Sequence, residues 1–315
     1  MYAVIDIGTN SVRLLIAERE LTKEGSFYRP VAARLKITRL GQNVNASGLL
    51  DEGAIARTCQ VLREYQHELN KFPVDNLVVT ATSAVRDGAN REEFLAKVKS
   101  LTGWDVQVLT GEQEAAASFV GATKTLQGLG FALSPEVLVL DIGGGSTELT
   151  CGTADGKIVA GGSIQAGAVR MTELGITRHP VSNGELKQLQ QMIRSRVAEL
   201  VSALPGGKGK RALVGVGGTI TTLAALELKL TVYDWAKITG MSLTKGCVEY
   251  WLRYLAGLNL AERAVLPGMS EGRGEIIVAG AAICNVVMDL LAVDQLMVSD
   301  GDLMQGMLYL RAPAY

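Results

Sequence analysis

The feature that most limits the possible folds of this chain is a stretch that occurs twice. AVIDIGTNSVRLL begins at residue 3, and VLVLDIGGGSTEL spans residues 137 to 149. Each copy consists of an apolar strand, a glycine turn and a second apolar strand, which predicts a β-hairpin. A chain of 315 residues is long for one hydrophobic core, so the repetition predicts two related halves. With a single offset of 135 residues, the matched pairs are Val4/Val139, Ile5/Leu140, Asp6/Asp141, Ile7/Ile142, Gly8/Gly143, Ser11/Ser146 and Leu14/Leu149.

Strand and helix patterns alternate in the rest of the chain. LVVTATSAVRD predicts a strand that runs into a loop, and NREEFLAKV predicts a helix whose capping box is Asn90 and Glu93. VQVLTG predicts a strand leading into the helix GEQEAAASFVGATKTL, which places Glu114 in a first helical turn. A later helix has Ser182 and Glu185 as its capping box. ALVGVGGTITTLAAL then predicts a strand, a third glycine turn and an apolar helix.

These patterns predict an α/β protein built by duplication, with two mixed sheets flanked by helices and a cleft between them. The glycine-rich segment LQGLGFALSPE precedes the second hairpin and marks the expected boundary. We expect a first domain over residues 1–125 and a second over 126–300. A C-terminal helix within 301–315 is expected to return to the first domain.

Composition bears on the kinds of partner and on the compartment. A formal net charge of −1 does not favour a nucleic-acid coat, so we expect no nucleic-acid partner. The four cysteines form neither a CxxC pair nor a cysteine/histidine cluster, and MYAVIDIG lacks the apolar core of a signal peptide, which together favour the cytoplasm. The apolar segment 276–293 is interrupted by Asn285 and Asp289, so it predicts a buried helix and no membrane partner.

The glycine turns suggest what the repetition is for. Without a Cβ, successive backbone N–H groups can approach and cradle a phosphate. An aspartate at the end of the preceding strand can hold a hard divalent cation that bridges to phosphate. A lone turn of this kind is more commonly only a tight hairpin, but two copies and a third GGT turn favour a phosphate site gripped from both sides. Neither copy is a Walker A loop, since no GK[ST] follows.

The motifs in their order resemble a known family. DIGTNS, DIGGGST and GVGGT together resemble the acetate and sugar kinase, chaperone ATPase and actin superfamily. TATSAVRDGAN, GEQEAA, DIGGGSTEL and GVGGTITTLAAL more closely resemble the exopolyphosphatase and guanosine pentaphosphate phosphohydrolase family, from Tyr2 to about Leu310. The resemblance implies two actin-like (ribonuclease H-like) domains and a Mg²⁺-dependent attack of water on the terminal phosphorus of polyphosphate or guanosine pentaphosphate. It also implies a homodimer.

The resemblance assigns roles to individual residues. Glu114 within GEQEA matches the general base. Asp141 matches the magnesium-binding aspartate and Glu148 its glutamate; Asp6, the counterpart of Asp141 in the first copy, is a third metal candidate. The residues that match phosphate-binding positions are Thr9, Asn10, Ser11, Arg86, Gly143, Gly144, Gly145, Ser146, Gly217, Gly218, Thr219 and Arg273.

Two segments depart from the family pattern, and other functions stay open. Arg273 sits in EGRGE, where the family has alanine and aspartate after the arginine, and Met304 and Gln305 replace an arginine and a glutamate. A glutamate at a helix start also complements the helix dipole without any catalytic role, and the dipole would keep Glu114 ionised. An ATP-dependent kinase for a small acceptor and a nucleotide-switched scaffold share the same superfamily, so both remain alternatives here.

Overall fold

The structure is a computed structural model that describes residues 1–23, 25–205 and 211–311. Its strands are β1 (Tyr2–Ile7), β2 (Ser11–Thr22), β3 (Gly25–Ile37), β4 (Asn76–Ala81), β5 (Gln107–Val108), β6 (Glu136–Ile142), β7 (Thr147–Thr153), β8 (Ile158–Ile164), β9 (Ala212–Val216), β10 (Ser242–Thr244) and β11 (Gln295–Val298). Its helices are α1 (Val44–Ser47), α2 (Glu52–Leu69), α3 (Ser83–Asp87), α4 (Arg91–Thr102), α5 (Gly111–Gly128), α6 (Ala168–Gly175), α7 (Asn183–Ser202), α8 (Gly217–Glu227), α9 (Trp235–Ile238), α10 (Lys245–Ala256), α11 (Leu260–Ala264), α12 (Ile277–Leu291) and α13 (Leu303–Arg311).

The strands form two sheets of the same design, which confirms the predicted duplication. The first has the order β3-β2-β1-β4-β5, and the second has the order β10-β11-β9-β6-β7-β8. In each, an antiparallel three-stranded meander is followed by a parallel strand, β4 beside β1 or β9 beside β6. The second sheet adds β10 as an antiparallel edge strand. The α/β fold with two mixed sheets flanked by helices is therefore as predicted.

Helices cover both faces of each sheet. On the first sheet, alternate residues of β1 face α2 and α4, as Ile5 does beside Leu62 and Phe94. On the second, alternate residues of β6 face α7, α8, α10 and α12. The remaining faces of the two sheets meet α5 and α13, because Val4 packs with Met307 and Val139 packs with Phe119. Helix α5 thus contributes to the apolar packing of both sheets.

Glycines let α5 and α13 approach to backbone contact. A Cβ at Gly121 would collide with the carbonyl oxygen of Asp302, and a Cβ at Gly306 would collide with that of Ala117. Helix α13 also packs on Val4 and Leu15 of the first sheet, where we expected the C-terminal helix. Residues 312–315 of that expected segment lie outside the described residues. The domain limits at residues 125 and 300 stay a prediction.

The apolar segment 276–293 forms the buried helix α12, as predicted. Its polar interruptions face α7, where Asn285 Oδ1 accepts a hydrogen bond of 3.1 Å from Gln190 and Asp289 pairs with Arg194 at 3.1 Å. Across the described residues, no helix is both long and apolar enough to cross a membrane.

The two predicted capping boxes had different outcomes. The box of Ser182 and Glu185 forms at the start of α7. The box of Asn90 and Glu93 was wrong: Asn90 precedes α4 but makes no side-chain cap. Its Oδ1 instead accepts a hydrogen bond of 2.8 Å from the backbone N–H of Leu50, so a tertiary contact replaces the local one.

Candidate active site

The two repeated turns have the same internal geometry. The N–H of Gly8 donates to the carbonyl of Ser11 at 2.9 Å, and the N–H of Gly143 donates to the carbonyl of Ser146 at 3.1 Å. Each turn therefore begins at the end of the strand that carries its aspartate, Asp6 or Asp141.

In both turns, a second segment binds the carbonyl groups. The N–H groups of Thr38, Arg39 and Gly41, after β3, donate to Thr9 and Asn10. In the second copy, the donors come from residues 167–170, after β8, and bind the carbonyls of residues 143–145. No backbone hydrogen bond in the described parts of the chain is donated by the N–H groups of residues 9, 10, 144 or 145. These N–H groups are available to an anion.

The two turns lie close together. A Cβ on Gly144 would lie 3.0 Å from the Cβ of Thr9, and one on Gly145 would lie 2.9 Å from Thr9 Oγ1 and collide with Ser83. Glycine is therefore required at residue 145, and a Cβ at residue 144 would be tightly packed against Thr9. The first two predicted phosphate loops, including buried Asn10, Ser11 and Ser146, are brought to one place.

The third turn joins the same site. Gly217 has a φ of 84°, and a Cβ there would lie 2.6 Å from Asp141 Oδ1. A Cβ on Gly218 would collide with the guanidinium group of Arg273. Thr219 differs, since its Oγ1 and Cγ2 both lie against Gly280 in α12, where a Cβ would collide with them. Its side chain thus packs against α12.

Arg273 has an unused donor. Its Nε is buried and has no hydrogen-bond partner among the described residues. Burial, and secondly the charge of Arg13, lower the pKa of Arg273 to about 10. Within the described ranges no carboxylate pairs with Arg273, and a guanidinium group of this kind next to a glycine turn is suited to a phosphate.

The aspartates and glutamates of the site are buried. In the first hairpin, Asp6 Oδ2 accepts hydrogen bonds of 2.8 and 3.1 Å from Arg13, and Arg13 also donates to Asp302. In the second hairpin, Asp141 accepts a hydrogen bond from the hydroxyl of Ser118. Glu148 on β7 is paired directly opposite Asp141 on β6.

Burial controls the protonation of these groups. It raises the pKa of Asp141 to about 6, and the charge of Asp302 adds to the rise. It also raises the pKa of Glu148 well above its usual range, with Glu114 and Asp141 as further causes. Glu148 accepts a hydrogen bond of 2.6 Å from Ser163, which acts in the opposite direction.

Glu114 lies in the first turn of α5, as predicted, and is 5% exposed. It accepts a hydrogen bond from Arg86, which also donates to the carbonyl of Leu109 at 2.8 Å. Arg86, a predicted phosphate ligand, therefore has a protein partner that the motif did not suggest.

The helix dipole favours the ionised form of Glu114, and burial acts in the opposite direction. Desolvation raises the pKa of Glu114 to about 7 despite the opposing charge of Arg86. Asp6 and Asp141 are near enough for their charges to raise it further.

The carboxylates fit a divalent cation of the Mg²⁺ type. Among the described residues, no three His, Cys, Asp or Glu side chains converge on one point. Mg²⁺ does not need such a trio, because it commonly uses one or two carboxylates together with water and substrate phosphate. Asp6 Oδ1 is buried and has no hydrogen-bond partner within the described residues. Asp141 and Glu148 are two facing acids whose side-chain contacts are with serine hydroxyls.

Sequence reasoning missed four residues of this site. Arg13 lies in the repeated stretch at the position of Glu148, so the alignment of the copies could have singled it out. Ser118 lies one turn after Glu114 on α5, which is a helical spacing. Ser163 belongs to a segment without a motif, and Asp302 lies beside Met304 and Gln305 in a segment that departs from the family pattern, so only the fold brings the two residues to the site.

Comparison with known proteins shows the family of this chain. The model of the Ppx/GppA phosphatase family matches residues 4–314. The chain is 35% identical over 318 residues to exopolyphosphatase 2 of Mycobacterium tuberculosis, with 96% of each chain covered. It is 26% identical to a guanosine-5'-triphosphate,3'-diphosphate pyrophosphatase of Aeromonas hydrophila, covering 98% of this chain and 59% of that one.

A solved structure shows the same fold over the whole chain. The Aquifex aeolicus member of the Ppx/GppA family is 33% identical and superposes with a TM-score of 0.80. The match covers 100% of this chain and 99% of the Aquifex chain. Because the sequence motifs, the duplicated turns and these matches agree, we conclude that the chain belongs to the Ppx/GppA phosphatase family.

Proposed function

We propose that this protein is a Mg²⁺-dependent phosphatase that hydrolyses the terminal phosphoanhydride of inorganic polyphosphate, of guanosine pentaphosphate, or of both. Three glycine turns and Arg273 meet in one place, which supports the binding of a phosphate chain. The relatives named above act, by their names, on polyphosphate and on a guanosine polyphosphate, which supports these two substrates.

The observation that carries the proposal is the position of Glu114, a buried carboxylate in the first turn of α5 that accepts a hydrogen bond from Arg86. A buried carboxylate whose pKa is raised to about 7 is matched to proton transfer near neutral pH. Arg86 fixes its orientation, since the guanidinium group is itself held by the carbonyl of Leu109. Glu114 would accept the proton of the attacking water.

The other residues would position and neutralise the phosphate chain. The free N–H groups of the first two turns, with Ser11 and Ser146 beside them, would bind phosphate oxygens, and Arg273 would neutralise them. Asp141, Glu148 and Asp6 are the candidates for holding Mg²⁺, and because no three acids converge among the described residues, the ion would take one or two of these carboxylates together with water and substrate phosphate. When bound, Mg²⁺ would supply charge neutralisation at the reacting phosphoryl group. Positioning and electrostatics of this kind supply most of the acceleration in phosphoryl transfer.

Turnover without an acceptor tests the proposal. We expect purified protein with Mg²⁺ to release orthophosphate from long polyphosphate or guanosine pentaphosphate in the absence of any acceptor, and much less from ATP. A kinase would release no orthophosphate and would transfer phosphate only to an added acceptor. A nucleotide-switched scaffold would hydrolyse ATP but neither polyphosphate nor guanosine pentaphosphate. Phosphate release that requires an added acceptor would overturn the assignment.

We also propose that the protein is a cytoplasmic homodimer. The four cysteines Cys59, Cys151, Cys247 and Cys284 are all free thiols, which supports a reducing compartment. The dimer rests on the family resemblance, and light scattering of the purified protein tests it.

A further inference from the structure

We infer that Asp302, at the start of the C-terminal helix, is a positioning residue that acts through Arg13 on Asp6. The inference rests on the proposed role of Asp6 as a Mg²⁺ ligand. It gives α13 a part in the chemistry of the site, although Met304 and Gln305 depart from the family pattern there.

The contacts form a continuous chain from α13 to β1. Asp302 Oδ2 accepts a hydrogen bond from Arg13 Nη1, and Arg13 Nη2 and Nε donate to Asp6 Oδ2. The side chains of Asp302, Arg13 and Asp6 are 8%, 22% and 6% exposed, so solvent screens these charges little. Both contacts of Asp6 use one oxygen, and Oδ1 is buried without a hydrogen-bond partner among the described residues.

The pairing of Arg13 with Asp302 keeps Asp6 available to bind a cation. A guanidinium group shared between two carboxylates gives each of them only part of its charge. Without the charge of Asp302, Arg13 would pair with Asp6 alone, and Nη1 would be free to turn towards Oδ1. Asp6 would then bind a cation less tightly.

Asp302 is itself held in place from two sides. Its Oδ1 accepts a hydrogen bond of 2.9 Å from the N–H of Met304, and its own N–H donates to Gln305 Oε1 at 3.3 Å. The carbonyl of Asp302 lies against Gly121, where any Cβ would collide with it. Asp302 is therefore fixed on the same pair of helices that carries Glu114 and Ser118.

The test compares three variants by calorimetric titration with Mg²⁺ alone. Asp302→Asn keeps the side-chain shape and the acceptor for Met304 but removes the charge. We expect Mg²⁺ affinity to fall roughly 10-fold or more, within the range seen when outer-shell partners of a metal are removed. Arg13→Lys keeps a charge but loses the forked geometry, so it should produce a similar loss.

The matched control is Gln305→Ala, which removes the contact to the Asp302 N–H and leaves the pair with Arg13 intact. We expect it to bind Mg²⁺ like wild type, with at most a small fall in melting temperature. If Asp302 served only to begin α13, Asp302→Asn would bind Mg²⁺ like wild type, and that result would overturn the inference. So would a Gln305→Ala variant that loses as much affinity as Asp302→Asn.

The same titration separates this inference from the proposed function. Wild type and Asp302→Asn with equal Mg²⁺ affinity would remove the role of Asp302 and leave the phosphatase proposal standing. Wild type that binds no Mg²⁺ would remove both the metal assignment and the role of Asp302. Phosphate release is measured in parallel, where we expect Asp302→Asn to lower kcat with little change in KM.

Discussion

Arg13 and Glu148 occupy the same position in the two copies of the hairpin, each directly opposite an aspartate. The strand pairing places Arg13 across from Asp6 and Glu148 across from Asp141. In the first copy Arg13 pairs with Asp6 and is shared with Asp302, while the second copy holds two facing acids. The two hairpins have the same backbone arrangement, but one carries an arginine where the other carries a glutamate, so the two differ in what they can bind.

The first prediction concerns the acidic copy. Glu148→Gln removes one of the two facing carboxyl groups, and we expect the Mg²⁺ concentration for half-maximal activity to rise about 10-fold or more. The melting temperature should stay equal or rise, because the buried carboxyl group already resists ionisation. Ser163→Ala is the comparison: it removes the hydrogen bond of 2.6 Å but keeps the acid, so the Mg²⁺ requirement should rise less than in Glu148→Gln. An unchanged Mg²⁺ requirement in Glu148→Gln would exclude Glu148 as a metal ligand.

The second prediction concerns pH. Protonated Glu114 cannot accept a proton, so kcat should be lost as the pH falls through the pKa of Glu114, about 7. The charge of Arg86 lowers that pKa, so Arg86→Gln should raise it and move the acid limb of the kcat profile to higher pH. Arg86→Lys keeps a positive charge and should move the limb less. The same acid limb in all three proteins would show that another group controls it.

The third prediction concerns contacts across the cleft. Arg170 donates to Asp87 at 2.8 Å and to the carbonyl of Gly145 at 3.0 Å, and Glu173 accepts from Asn45 at 2.9 Å. Two of these pairs, Arg170 with Asp87 and Glu173 with Asn45, join α6, which begins in the segment that braces the second turn, to α3 and α1. Arg170→Gln should therefore loosen the closed arrangement.

Small-angle X-ray scattering measures this effect. We expect the radius of gyration to be larger in Arg170→Gln than in wild type and KM to be higher. Arg178→Gln is the control, since the side chain of Arg178 is 72% exposed. Equal scattering profiles for Arg170→Gln and wild type would show that these contacts do not hold the cleft closed.

The fourth prediction concerns the packing of α5 on α13. Gly306→Ala places a Cβ against the carbonyl of Ala117, and overpacking of this kind costs about 1–3 kcal/mol in the free energy of unfolding. Gly184→Ala, in the first turn of α7, meets no atom within 4 Å and should be neutral or slightly stabilising. Denaturant titration of both variants gives the comparison. Equal stability of Gly306→Ala and wild type would contradict the close approach.

Local patterns were enough to predict the architecture. The alternation of apolar residues in both copies and the intervening helices gave the two mixed sheets, and the helical pattern after VQVLTG gave the place of Glu114. The repeated stretch pointed to Asp6, Asp141 and the turns because their chemistry lies within a few residues of each other.

Long-range contacts could not be predicted in the same way. Asp302 pairs with Arg13 although the two residues are 289 positions apart in the sequence, and a local pattern of apolar residues cannot predict such a pair. The rise in the pKa of Glu114 could not be predicted because a helix dipole is a local property, while desolvation depends on the whole fold. The side chain of Asn90 likewise accepts a hydrogen bond from the N–H of Leu50 instead of capping α4.

The central claim is that Glu114 accepts the proton of the attacking water, and turnover of Glu114→Gln tests it most directly. We expect kcat to fall by roughly 10² to 10⁴ with little change in KM, because the phosphates are held by other groups. Glu112→Gln is the matched control, an exposed glutamate in the same first turn, and it should have normal turnover. Near-normal kcat in Glu114→Gln, with only a shifted melting temperature, would contradict the account.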